Sequence, residues 1–168
     1  MKPIISMCAI AAMTCSVAAW ADKPEQYPIA YQVTGFLVAD CGDFLVLQDY
    51  GVEGYERHYF NKDGSLNRIF SNLDFPDGIY YNANDPSYWL AGTAEHTQSW
   101  LHFDENGDPI NYVESGPAFR IIVPGYGAVF IGTGHAIYDA NAGQWTFLAG
   151  PQDFLRGNFD VLCAALRP

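Results

Sequence analysis

The chain predicts an all-β fold: an antiparallel up-and-down barrel or curled sandwich of about eight strands, with a short C-terminal helix. Three observations lead there. The first is a turn phrase that occurs three times: Phe60-Asn61-Lys62-Asp63-Gly64, Phe103-Asp104-Glu105-Asn106-Gly107 and Tyr138-Asp139-Ala140-Asn141-Ala142-Gly143. Asp and Asn bond their own backbone and tolerate left-handed angles, and Gly accepts a positive φ, so these phrases read as hairpin turns. The second is the alternating, β-prone character of the runs between them. The third is a pair of distant cysteines, Cys41 and Cys163, outside the N-terminal leader.

The leader comes first. Lys2 precedes an apolar stretch, Ile4 to Val17, and Ala19-Trp20-Ala21 has the A-x-A form of a signal-peptidase site. The expectation is a signal peptide over 1–21 and a single exported domain over 22–168. The stretch is short for a membrane span, which needs ~20 apolar residues, and no later window is apolar enough. A lipidated Cys15 is the alternative, but Ala12-Met13-Thr14 is a poor lipobox.

The elements follow in order. Residues 22–30 carry two prolines and read as a lead-in arm. Tyr31 to Ala39 is a first strand and Phe44 to Asn61 a second, in which Gly51 and Gly54 suggest a bulge or bend. Leu66 to Leu73 returns. Residues 74–87 hold prolines, Asp, Asn and Tyr and read as a long exposed loop with a short strand at Ile79 to Tyr81. Tyr88 to Phe103, Ile110 to Glu114, Phe119 to Val123, Ala128 to Tyr138 and Trp145 to Ala149 are further strands, with a tight turn at Pro124-Gly125-Tyr126-Gly127. After Gly150-Pro151 the alternation stops. Asn158 suits a helix N-cap, Asp160 its first turn, and Phe159, Leu162, Cys163 and Leu166 form one apolar stripe.

Charge and cysteines bound the function. The formal net charge is −11, and it deepens by one when Lys2 leaves. Such a chain offers no basic patch for phosphates, so nucleic acid and anionic membrane surfaces are poor partners. Cys8 and Cys15 depart with the leader, leaving Cys41 and Cys163 as an even pair in an oxidising compartment. With no C-x-x-C and no adjacent His, they read as a structural disulfide that clasps the C-terminal segment to the start of the sheet.

The phrases Cys41-Gly42-Asp43-Phe44, Val123-Pro124-Gly125-Tyr126-Gly127, Ala149-Gly150-Pro151 and Leu162-Cys163-Ala164-Ala165-Leu166 resemble those of a group of small secreted bacterial β-proteins without assigned function. The resemblance implies export and a shared β fold, and it supplies no activity. The expected topology is also similar to lipocalins and to allene-oxide-cyclase barrels, although Gly35-Phe36-Leu37 stands where a lipocalin carries Gly-x-Trp.

Catalytic signatures are absent: no G-x-S-x-G, H-E-x-x-H, phosphate-binding G-x-x-x-x-G-K or post-strand G-x-G-x-x-G. Gly132-Thr133-Gly134-His135 is a mid-strand fragment. Of His58, His96, His102 and His135, the second and third share a strand face by spacing, but a metal site needs three or four convergent ligands, and no metal or cofactor is expected. His135, among Val129, Ile131, Thr133 and Ile137, reads as a satisfied core histidine, the polar handle of an apolar pocket, or a general base. Arg120, in a β run, would pair with a carboxylate or with an anionic ligand.

Tyr80, Tyr81, Tyr88 and Trp89 beside Asp and Asn have the composition of a sugar-binding surface, and Asp74, Asp77 and Asp85 that of a calcium site. The Gly of Asp104-Glu105-Asn106-Gly107-Asp108 comes too early for an EF-hand. The leading expectation is a non-enzymatic barrel that binds a small, partly apolar ligand, with His135 and Arg120 as handles. The alternatives are glycan binding by loop 74–87, and a cyclase- or isomerase-type barrel enzyme using His135.

Overall fold

The computed structural model describes residues 23–76, 78–123 and 126–168. The expected leader, Asp77, Pro124 and Gly125 lie outside them. Nine strands form one antiparallel sheet: β1 (Glu25–Asp40), β2 (Leu45–Phe60), β3 (Leu66–Phe75), β4 (Gly78–Asn82), β5 (Asp85–Ala91), β6 (Glu95–Phe103), β7 (Pro109–Val123), β8 (Gly127–Asp139) and β9 (Gln144–Ala149). Two short helices follow, α1 (Asp153–Arg156) and α2 (Asp160–Ala165). The sheet curls into a half-barrel, with β1 and β9 at its two long edges and β5 paired with β4 alone among the described residues.

The register is simpler than nine strands suggest. β3 and β4 lie in succession along one edge of β2, opposite Glu53–Phe60 and Val46–Tyr50. β6 and β5 follow them in one frame, since Phe75 faces Glu95 and Ile79 faces Ala91. β7 keeps that frame along both: Gln98 faces Ser115, and Gly92 bridges to Ile121. The sheet is therefore a plain meander in which β3–β4 and β5–β6 are each one interrupted strand.

Two expectations change as a result. Residues 74–87 are not a long loop; most of them are strand, joined by a turn at Ala83-Asn84. The prolines that suggested a loop fall at Pro76, between β3 and β4, and at Pro86, one residue into β5, where a missing N–H is tolerated. Residues 25–30 are also strand, not a lead-in arm, pairing with His58 back to Glu53.

The three repeated phrases are turns, and all three lie at one end of the sheet. Asp63 Oδ1 accepts the Ser65 N–H at 2.9 Å, Asp104 Oδ1 accepts those of Asn106 and Asp108 at 2.8 and 3.0 Å, and Asp139 Oδ1 accepts that of Asn141 at 2.9 Å. Such bonds favour the ionised carboxylate: the Ser65 hydroxyl and then its N–H hold Asp63 below the usual range, and the Asp108 and Asn106 N–H groups do the same for Asp104. The closing Gly64, Gly107 and Gly143 all take a positive φ.

The helices plug the other end. Leu162 and Leu166, one helical turn apart, are fully buried against Val38, Phe44, Val46, Tyr80, Ile121 and Phe130. The N-cap is Phe159 rather than Asn158, and it makes no side-chain cap. Packing and cross-links therefore hold α2 in place. Cys41 and Cys163 form the expected disulfide across a sequence separation of 122, with Cα atoms 5.7 Å apart. The buried Asn82 donates to the Leu166 carbonyl at 3.2 Å, and Arg167 pairs with Asp43 at 2.9 Å.

Following cross-strand partners over the concave face gives successive rungs. One runs Tyr27, Glu56, Ser71, Ser99, Glu114, Ala136. The next toward α2 runs Ile29, Gly54, Leu73, Thr97, with Gly116 and Gly134 paired further round the curl. At Gly54, Gly116 and Gly134, φ is 145°, 108° and 123°, and a Cβ would run into the carbonyl oxygens of Asn72, His96 and Ala149 respectively. These glycines let neighbouring backbones close in where the sheet bends.

Two outcomes test these devices. Cys41→Ser or Cys163→Ser should cost ~2–5 kcal/mol of stability, read by denaturant titration; an unchanged midpoint would show that the clasp contributes nothing. Gly107→Ala, at a positive φ in open space, should cost about 1–2 kcal/mol. Gly134→Ala should cost distinctly more, because steric overlap with Ala149 is added to the strain.

Candidate functional site

The curl forms a partly open cavity of about 310 Å³, at the small end of the ~300–1,000 Å³ typical of small-molecule sites. Most of its lining is aromatic. Toward α2 lie Phe36, Tyr80, Phe119, Phe130 and Phe154; toward the turn end lie Tyr112, Glu114 and Trp145. Gln48 from β2 and Gln152, just before α1, add two amides. The strand positions of the lining follow from alternation: Gln48 and Tyr50 point inward on β2 between the buried Val46 and Val52, as do Tyr112 and Glu114 on β7. Phe154 reaches from α1 to Phe36 on β1, with ring centroids 6.3 Å apart, so α1 spans the gap between the two sheet edges.

Glu114 is the chemically distinctive group. Among the described residues it is the one carboxylate lining the cavity, and no Lys, Arg or His lines it. The Tyr112 hydroxyl donates to Glu114 Oε2 at 2.8 Å. Burial pushes the Glu114 carboxyl above its usual pKa, and the Tyr112 bond opposes part of that rise. Burial and then the Glu114 charge raise the Tyr112 phenol far above neutral, so it stays a donor. Tyr80 is raised in the same way, by burial first and by Glu95 second.

The chain's arginines are engaged elsewhere. Arg57 lies over the Tyr55 ring at 4.8 Å, Arg68 between Tyr59 and Trp100 at 4.8 and 5.0 Å, and Arg167 over Phe44 at 5.9 Å. Arg120 Nε stands 3.5 Å from Glu95 Oε1. This is the carboxylate pairing expected of Arg120, but its side chain is half exposed, and it lies between the inward-facing Phe119 and Ile121 and so turns away from the cavity.

His135 also turns outward. Its neighbour Ala136 is buried beside Glu114, so alternation sends His135 to the convex face. There its Nδ1 lies 2.8 Å from Ser115 Oγ, and its ring meets the edge of Phe147. No carboxylate partners it among the described residues, so the geometry gives no support to a general base there. The four histidines do not converge. His58 is on the concave face beside Glu56, whereas His96 and His102 bond Asp74 and Asn111 on the convex face. Among the described residues no three His, Cys, Asp or Glu side chains gather as a metal set. Asp77 of the considered calcium trio lies outside those residues.

The four aromatics of 80–89 separate. Tyr80 is buried and lines the cavity. Tyr81 and Trp89 are cross-strand partners on the other face, where with Asp49, Ile79 and Pro86 they line an outer depression of about 440 Å³. The Tyr81 hydroxyl donates to Asp49 Oδ1 at 3.1 Å. Tyr88 is exposed and outside that depression.

Sequence reading missed Glu114, Tyr112, Trp145, Gln48 and Gln152. A signal existed in Tyr112-x-Glu114, a polar pair at strand spacing within a β run. Its inward direction depends on register with Ser99 and Ala136, and that register is set only in the folded sheet.

Glu114 links stability to pH with a definite sign. The folded chain holds its proton more tightly than the unfolded chain, so this group's stabilisation is full below the unfolded pKa and is lost as pH rises through the folded value. Glu114→Gln should therefore raise the melting temperature at about pH 8 and bring little or no gain at about pH 4. Thermal denaturation at the two pH values reads this; a penalty from the substitution that grows with pH is the contrary result.

Among the described residues no helix is long and apolar enough to cross a membrane. Comparison with protein-family models, with curated proteins and with solved structures returned no match, so the geometry of this cavity carries the functional reading alone.

Proposed function

We propose that this is an exported, non-enzymatic binding protein whose curled sheet holds a small, partly apolar ligand in the cavity over Tyr112 and Glu114. The observation that carries the reading is a half-buried carboxylate set into a mainly aromatic cavity, with a tyrosine hydroxyl as its partner. A chain selected for stability alone would gain by filling that space and removing that charge. Export is supported by the leader pattern and by the disulfide, which suits an oxidising compartment. The polar handles are Glu114, Tyr112 and the two glutamines, in place of His135 and Arg120.

Mass spectrometry of the exported protein, first under native and then under denaturing conditions, tests this. A small molecule should be released from the native protein and be absent from Leu155→Trp, which enlarges a side chain of the cavity lining. Equal retention by both proteins would remove the cavity from the account.

A second reading rests on the outer depression, where the exposed Trp89 stands beside Tyr81 and Asp49. An aromatic face beside a carboxylate suits a sugar ring. Trp89→Ala should abolish any glycan-array signal and leave the fold intact, and an unchanged signal would reject that surface.

A further inference from the structure

We infer that the cavity's ligand is an amphiphilic organic cation: an amine or quaternary ammonium group set against Glu114, with an apolar body among the rings toward α2. This deepens the binding reading above and depends on it.

Three independent features converge on a positive charge. The first is the isolation of Glu114. Its hydrogen-bond partner is a neutral hydroxyl, that of Tyr112, and the cavity lining offers it no cation among the described residues. A half-buried carboxylate without a cation carries part of its desolvation cost uncompensated, and a ligand that brings a positive charge offsets it. The second is what surrounds it. The Tyr112 and Trp145 rings stand edge to face with centroids 6.3 Å apart, and Trp145 meets Tyr138 at 5.4 Å. Aromatic faces carry negative quadrupole density, so rings clustered beside a carboxylate form a site for a cation and repel an anion. The third is the field of the whole chain, whose net charge of −11 favours cation approach and opposes anions.

The apolar body follows from the other end of the cavity. Between Glu114 and the buried Leu162 and Leu166, the lining is Phe36, Tyr80, Phe119, Phe130 and Phe154. Gln48 and Gln152 are the polar groups near that end, and they suit one neutral hydrogen-bonding substituent. A small inorganic cation would leave the aromatic part empty, and a fatty acid would place its carboxylate against Glu114.

The test uses three probes that share one apolar body: 4-phenylbutylammonium, 4-phenylbutanol and 4-phenylbutyrate. Each is titrated calorimetrically into the native protein and into Glu114→Gln at about pH 8. In the native protein the ammonium compound should bind about tenfold or more tighter than the alcohol, with the carboxylate weakest. In Glu114→Gln the ammonium and alcohol affinities should converge, while the alcohol's own affinity stays within about twofold. Equal binding of ammonium and alcohol by the native protein overturns the cationic assignment and leaves the cavity as a binding site. Binding of none of the three overturns both readings. Should Glu114→Gln fail to fold, the ranking in the native protein decides alone.

Discussion

At Gly54, Gly116, Gly134 and Gly150 the backbone takes a positive φ, and a neighbouring strand's carbonyl lies where a Cβ would stand. Gly116 and Gly134 face each other across β7 and β8, and Gly150 closes against Thr133 just beyond β9. This close approach lets a long meander coil instead of running flat. Everything else depends on the coiling. A flat sheet of this sequence would show its aromatic face to water, and α2 would have no end to plug.

The coiled sheet then sorts its interior by height. The end near α2 is a conventional apolar core, pinned by Leu162, Leu166 and the Cys41–Cys163 bond. Above it the lining turns aromatic but is not fully packed. Beyond the glycine rung the concave face turns polar, with Glu56, Ser71, Ser99 and Glu114 side by side, and of these Glu114 lines the cavity. Glu56 is shared by His58 and Ser71, whereas Glu114 has Tyr112 and the cavity. The gradient from apolar to acidic gives the cavity a direction, which is the basis for proposing an amphiphile there.

Much of the fold was legible along the chain. The Asp and Asn side chains of the three turns act within four residues, so their chemistry is visible locally, and the turns formed as read. The stripe Leu162, Cys163, Leu166 identified the helix, and the cysteine count identified the clasp. Residues 74–87 misled because Pro76 and Pro86 look alike in sequence wherever they fall. Only pairing with β2 and β6 for Pro76, and with β4 for Pro86, shows that they sit at strand boundaries. The candidate site was hardly legible. His135 and Glu114 are both polar residues in β runs, and nothing local distinguishes the face each takes.

The sequence by itself determined the class of the fold, the place of its turns, its acidity and its covalent clasp. Each of these depends on residue chemistry or short spacing. Tertiary structure alone decided which face is concave, and hence that Glu114 and Tyr112 look inward while His135 and Arg120 look out. The physical reason is the period of a strand. A shift of one residue in register exchanges the two faces, and register is fixed by partners tens of residues away, not by neighbours along the chain.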